Sequence, residues 1–113
     1  PEDEIVEMMD PSKVEILCFG HTHKPFHKVL NANSNGILKY KHAINIGSVG
    51  KPKDNNTEGC YAVLEFNNNT TLLKEKGVNV EFIRFEYDIE KAALAIENSI
   101  LPNAFAENLR NGN

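Results

Sequence analysis

Two histidines one residue apart, His21 and His23, are the place where this sequence could do chemistry. They follow Val14-Glu15-Ile16-Leu17-Cys18-Phe19, a short apolar run that reads as a buried strand. Gly20 then breaks that strand, because its backbone can take conformations that a side chain forbids. In an extended chain residues i and i+2 point to the same side, about 6.6 Å apart. The pair is therefore expected to aim two imidazoles into one space at the carboxyl end of a strand, where open α/β architectures put their sites. Each ring can offer one lone pair to a borderline metal such as Zn, Mn or Fe. The spacing suits two ions roughly 3.5–4 Å apart at least as well as one. Spacing alone supports two solvated loop histidines equally.

A second candidate is Gly47-Ser48-Val49-Gly50-Lys51-Pro52-Lys53. It is not a P-loop, which needs a hydroxyl where Pro52 stands and a glycine where Asn45 stands. Closely spaced glycines still expose backbone N–H groups that can bind an anion, and Lys51 and Lys53 add positive charge. A turn that needs two glycines for its geometry is weighed equally with substrate contact. Gly20, Ser48, Lys51 and Lys53 are the candidate substrate-binding residues. Two other histidines are set aside. His42 falls among apolar residues and reads as a core-edge histidine with one hydrogen-bond partner. His27 lies about 13 Å beyond His23 if the chain stays extended.

The elements that must position these residues read as α+β, mostly antiparallel, with helices at both ends. Residues 3–9 form a helix ended by Asp10-Pro11. Phe26 to Leu30 and Ile37 to Ile46 pair as a hairpin across a turn at residues 31–36, signalled by Asn35-Gly36. Residues 50–59 carry no aliphatic or aromatic side chain except the ring of Pro52, and are expected to be a mobile loop over the site. Cys60 to Phe66 is apolar on both faces up to Glu65, as in a central strand covered on both sides. Thr71 to Lys76 is expected as a short edge strand. Val78 to Tyr87 reads as a strand whose phase changes at Phe82-Ile83, through two-sided cover or a bulge. Asp88 is a good N-cap, and Ile89, Ala93, Ile96 and Ile100 define one buried helix face. Asn103 opens a last helix that Asn111-Gly112 stops.

At 113 residues the chain is one domain at most. Its net charge of −4 argues against a nucleic-acid surface. Cys18 and Cys60 sit in apolar runs and read as two buried free thiols of a reducing compartment. No stretch approaches the ~20 apolar residues of a membrane span, and the acidic start is unlike a signal peptide. A cytoplasmic location is expected. The chain lacks an initiator methionine and opens in what reads as the end of a helix, so a fragment is expected.

Gly20-His21-Thr22-His23-Lys24-Pro25-Phe26, followed by Asn45-Ile46-Gly47-Ser48-Val49-Gly50-Lys51-Pro52-Lys53-Asp54 and the strand at Cys60, resembles the calcineurin-like metallophosphoesterases, in their small bacterial and archaeal branch. The resemblance runs from about Val14 to the end of the chain. It implies half of a four-layer αββα sandwich. The family's earlier motifs, Asp-x-His, Gly-Asp, Gly-Asn-His-Asp/Glu and a further histidine, do not occur here. The resemblance makes residues 1–113 the C-terminal portion of one such domain, lacking its N-terminal half. It also implies hydrolysis of a phosphomonoester or phosphodiester with two divalent ions (Mn, Fe, Zn, Ni or Mg), His21 on one and His23 on the other, Gly20 allowing close approach and Thr22 turned away. The bridging aspartate, ligand asparagine and general-acid histidine belong to the absent motifs. No catalytic residue is assigned in this chain, which alone is expected to bind metal weakly and to be inactive. Loss of the other half would leave an apolar edge at residues 14–19, from which self-association as a dimer is expected. The alternatives are a non-catalytic scaffold of the same fold, or a β-rich module with an incidental His-x-His.

Overall fold

A computed structural model describes residues 2–9, 14–34 and 36–113; the side chains of residues 2, 3, 6, 33 and 34 are not described. The chain runs α1 (Glu2–Met9), β1 (Ile16–Phe19), β2 (Phe26–Ser34), β3 (Ile37–Asn45), β4 (Gly59–Glu65), β5 (Asn79–Phe85), α2 (Ile89–Glu97) and α3 (Ala104–Asn111). The fold is α+β with helices at both ends. The expected ending of α1 at Asp10-Pro11 lies outside the described residues, as does Asn35 of the hairpin turn.

The strands form two small sheets, β1-β3-β2 and β4-β5. β2 and β3 are antiparallel from Phe26 opposite Asn45 to Ser34 opposite Ile37, so the strand runs well past Leu30 and the expected turn shrinks. β1 pairs with β3 in parallel, Ile16 opposite His42 and Phe19 opposite Asn45. The first sheet is therefore mixed, while two of the three strand pairings are antiparallel, in line with the mostly antiparallel expectation. A parallel partner has to come from across a long connection, which here contains β2 and its turn.

Period-two alternation gives the first sheet two different faces. On one, Leu17, Phe19, Leu30 and Ala43 meet Met9 and Ile5 of α1 in the main apolar cluster. Burying side chains such as Met9 and Leu30 stabilises by about 1.5–3 kcal/mol each. The other face carries His42 and Ile44, both fully buried. Cys18 shares that side of the sheet but is exposed, because β1 is an edge strand. Both cysteines are free, and only Cys60 is buried.

In the second sheet β4 and β5 pair without a break from Gly59–Phe85 to Glu65–Asn79, so no bulge accompanies the phase change. Phe82 to Phe85 are half-buried on both sides instead. β4 is not fully covered on both faces: Tyr61 is 46% and Val63 43% exposed. Residues 71–76 form turns rather than an edge strand, closed by Thr71 N to Gly77 O at 3.0 Å.

Asp88 caps α2 by accepting from the Lys91 amide. The helix stops at Glu97, where the Asn98 amide bonds back to Leu94 O and Ile96 O. Ile100 therefore lies past the helix and is fully exposed, which corrects its place on the buried face. α3 ends at Gly112 in the left-handed conformation, φ 69°. Arg110 ties the two helices together through Glu90 and Glu97, with Glu107 beside it.

The molecule measures 58 × 28 × 19 Å with a radius of gyration of 17.7 Å. A compact domain of this length would have about 13 Å. Such an elongated form leaves much apolar surface outside.

Candidate functional site

The chain leaves β1 at Phe19, enters the loop of residues 20–25 and returns as β2 at Phe26. His21 and His23 have φ of 78° and 61°, so the loop is not extended as expected. Two side-chain-bearing residues in the left-handed region cost of order 1 kcal/mol or more each, and the surroundings must hold them there.

Asn45, at the end of β3 and fully buried, does much of that holding. Its Nδ2 donates to Gly20 O at 3.1 Å and to Thr22 Oγ1 at 2.8 Å, and its Oδ1 accepts from Gly47 N at 3.0 Å. One side chain thus joins the histidine loop to the glycine loop. The Thr22 hydroxyl is committed to this contact.

The other hold is on His23, which is half-buried, whereas His21 is exposed. His23 Nδ1 lies 2.7 Å from Lys51 O. A carbonyl can only accept, so Nδ1 carries the proton and Nε2 keeps its lone pair when the ring is neutral. This is the partner arrangement that orients metal-binding imidazoles. The Lys53 amide donates back to His23 O at 3.3 Å, so residues 51–53 bracket His23 from both sides.

The other candidates divide. Ser48 is occupied structurally: its hydroxyl accepts from Lys51 N at 2.9 Å and its carbonyl from Cys60 N at 2.9 Å. The Lys51 ammonium sits 4.6 Å from the centre of the Phe105 ring, within cation–π range. Lys53 is exposed. Gly20 has open space where a Cβ would project. Gly47 does not: its φ is 76°, and a Cβ would meet Cys60 at 3.2 Å and Pro25 at 3.3 Å.

Residues 50–59 are not a free flap. Pro52 is fully buried, Asp54 pairs with Arg84, which also donates to Glu58 O, and Asn55 N donates to Gly112 O at 3.0 Å. Polar composition suggested mobility, but these anchors come from β5 and α3, remote in sequence. The roles of Asn45, Arg84 and Phe105 were missed for the same reason. Asn45, ending an apolar strand two residues before a glycine, carried the one local signal.

The other two histidines form a pair of their own. His27 Nε2 and His42 Nδ1 are 2.8 Å apart, and His42 Nε2 is buried with no partner. Burial pushes both rings below the ordinary histidine value, with the neighbouring His27 a further cause at His42. His27 also lines a cavity of about 360 Å³ with Glu65, Glu75, Lys76 and Glu81, to which the histidine loop contributes nothing. Burial likewise raises the thiol of Cys60.

Among the described residues no group of three or more His, Cys, Asp or Glu side chains is placed to hold a metal ion. The donor set at the loop is two imidazoles, one of them with its tautomer fixed. That chemistry fits a borderline divalent ion, but it supplies fewer than the three or four protein ligands such an ion takes.

The chain's fold is similar to part of a metallophosphoesterase fold. The chain superposes on a metallophosphoesterase from Sphaerobacter thermophilus with a TM-score of 0.61 and 23% sequence identity, over 88% of this chain and 42% of that one. It is 30% identical over 123 residues to an uncharacterized protein of Methanocaldococcus jannaschii, covering 94% of this chain and 46% of the relative. The chain thus spans about half the length of the proteins it matches. No family model matches it. No described helix is long and apolar enough to cross a membrane.

Proposed function

We propose that this chain is the C-terminal part of a dinuclear-metal phosphoesterase that hydrolyses a phosphomonoester or phosphodiester. The observation that carries the reading is the hydrogen bond from His23 Nδ1 to Lys51 O, which leaves the Nε2 lone pair of the neutral ring available to a metal ion. The partial metallophosphoesterase fold supports it. His21 and His23 would each hold one divalent ion, while the other ligands come from the remainder of the domain. Bound ions of this kind polarise a phosphate ester and lower the pKa of water. This chain's own contribution is to fix the imidazoles: Asn45 sets the loop and residues 51–53 set the His23 ring. Lys53, exposed and next to that bracket, is free to draw in an anionic substrate. The retained histidines favour catalysis over a scaffold of the same fold.

The test is turnover of p-nitrophenyl phosphate and bis(p-nitrophenyl) phosphate with Mn²⁺ by the parent protein that carries this segment. Activity on either ester, lost in His21→Ala and His23→Ala with the fold retained, supports the assignment. Activity unchanged in both variants contradicts it. The 113-residue chain alone is expected to bind Mn²⁺ weakly and to turn over neither ester, and calorimetry showing tight binding of two ions to it would overturn that division of labour.

A further inference from the structure

Lys51, whose carbonyl selects the His23 tautomer, is contacted from α3 through its side chain. Phe105, in the first turn of α3, lies under the Lys51 ammonium at 4.6 Å. The ring is 39% exposed, and it is Ala106 and Leu109 that are buried, so filling the core does not explain Phe105. At the far end of the same helix Gly112 O accepts from Asn55 N at 3.0 Å. A Cβ at Gly112 would come within 2.8 Å of the Asn56 backbone. Both ends of α3 therefore grip residues 51–56, with fully buried Pro52 stiffening the span between them. Arg110 in turn fixes α3 to α2 through Glu90 and Glu97. The line of contact runs Phe105, Lys51 side chain, Lys51 carbonyl, His23 Nδ1.

We infer that Phe105 is a positioning residue for the donor nitrogen of His23, acting through Lys51; its bearing on metal affinity rests on the reading of His23 as a ligand. A free imidazole exchanges between its two neutral tautomers, and the carbonyl selects one by accepting from Nδ1. Loosening Lys51 moves that acceptor and releases the ring. Loss of such outer partners typically weakens metal binding by 10–100-fold.

The experiment reads the His23 tautomer by ¹³C and ¹⁵N NMR shifts in the metal-free parent protein that carries this segment, then titrates Zn²⁺ while following the same ring. In the unmodified chain His23 is expected in the Nδ1–H form. Phe105→Leu keeps bulk but loses the ring face, and Lys51→Met keeps the stem and carbonyl but loses the charge. Both should shift His23 toward the Nε2–H form and weaken Zn²⁺ binding about tenfold, while Phe105→Tyr behaves as the unmodified chain. The β2–β3 amide spectrum separates this shift from misfolding, and Lys51→Met tests the contact from its other side if Phe105→Leu does not fold. An unchanged tautomer in both variants overturns the inference, as does a shift in Phe105→Tyr equal to that in Phe105→Leu. A tautomer that shifts as expected on a ring that never responds to Zn²⁺ upholds the positioning and overturns the metal reading.

Discussion

The Asn45 side chain donates to the Thr22 hydroxyl at 2.8 Å across 23 residues of sequence, and with the same nitrogen to Gly20 O. Besides the local bond from Thr22 N to Gly20 O at 3.1 Å, this amide ties the histidine loop to a distant strand. Asn45→Asp replaces a double donor with an acceptor facing a carbonyl and buries a charge. Asn45→Ala only leaves partners unmet, at about 1–3 kcal/mol. The aspartate variant is expected to be the less stable by urea denaturation, with His21 and His23 resonances broadened in both variants. Equal stability of the two would show that the amide hydrogens are not what holds the loop.

Gly47 combines a left-handed backbone with walls on two sides, Cys60 and Pro25. A side chain in that backbone region costs about 1–2 kcal/mol before any clash. Gly47→Ala is expected to lose at least that much stability, and Gly20→Ala much less, since open space surrounds that position and its φ is not positive. Thermal melts of the two variants check the contrast. Similar losses would remove the argument that packing demands the glycine at position 47.

Where structure is decided locally the sequence was legible. Asp88 reads as an N-cap and is one, Gly112 reads as a stop and takes φ 69°, and the alternation after Phe26 gives the β2–β3 hairpin. Ile100 misled because its spacing continues a helix that Asn98 and Ser99 end by folding their groups back onto Ile96 O and Leu94 O. The parallel partner of β1, the tether of Asp54 to Arg84 and the stacking of Lys51 on Phe105 depend on residues far apart in the chain. No pattern in either segment announces the other. The contacts that hold the histidine loop, from Asn45 and from residues 51–53, were likewise not legible.

The two thiols should react differently. Cys18 is exposed on an edge strand, whereas Cys60 is buried, with its thiol raised by that burial. Alkylation follows the accessible thiolate. Iodoacetamide at pH 8, with the chain diluted below the micromolar range so that its β1 edge is uncovered, is expected to label Cys18 about tenfold faster than Cys60, read by peptide mass spectrometry. Comparable rates under those dilute conditions would mean that β4 opens readily.

At micromolar concentration and above, that edge is expected to be covered. β1 has β3 on one side and no strand on the other among the described residues, and Ile46 and Val49 nearby are exposed. An unpaired edge with apolar neighbours is a template for another chain. The isolated 113-residue chain is expected to dimerise at micromolar concentration in analytical ultracentrifugation, and Cys18→Lys, which puts charge on the edge, to shift it toward monomer. A strictly monomeric wild-type chain would contradict this.

The His27–His42 pair gives stability a pH dependence whose sign can be worked out. Both rings lie below the ordinary histidine value of 6.5 in the folded chain. Below 6.5 the unfolded chain therefore binds more protons than the folded one, and stability rises with pH through that window. The contribution is fully present above 6.5 and is lost as the pH falls toward the depressed folded values. The geometry agrees: if His42 Nδ1 donates to His27, a further proton goes to His42 Nε2, where no acceptor waits. Glu65, Glu75 and Glu81, around the cavity that His27 lines, favour a charged ring, and Lys76 opposes it. The lowered value of His27 means that desolvation outweighs those carboxylates. Urea midpoints are expected to fall between pH 7 and pH 5, and to fall less in His42→Leu, which removes the more deeply buried ring. A midpoint that rises with acidification would mean that the cavity carboxylates set the charge of the pair.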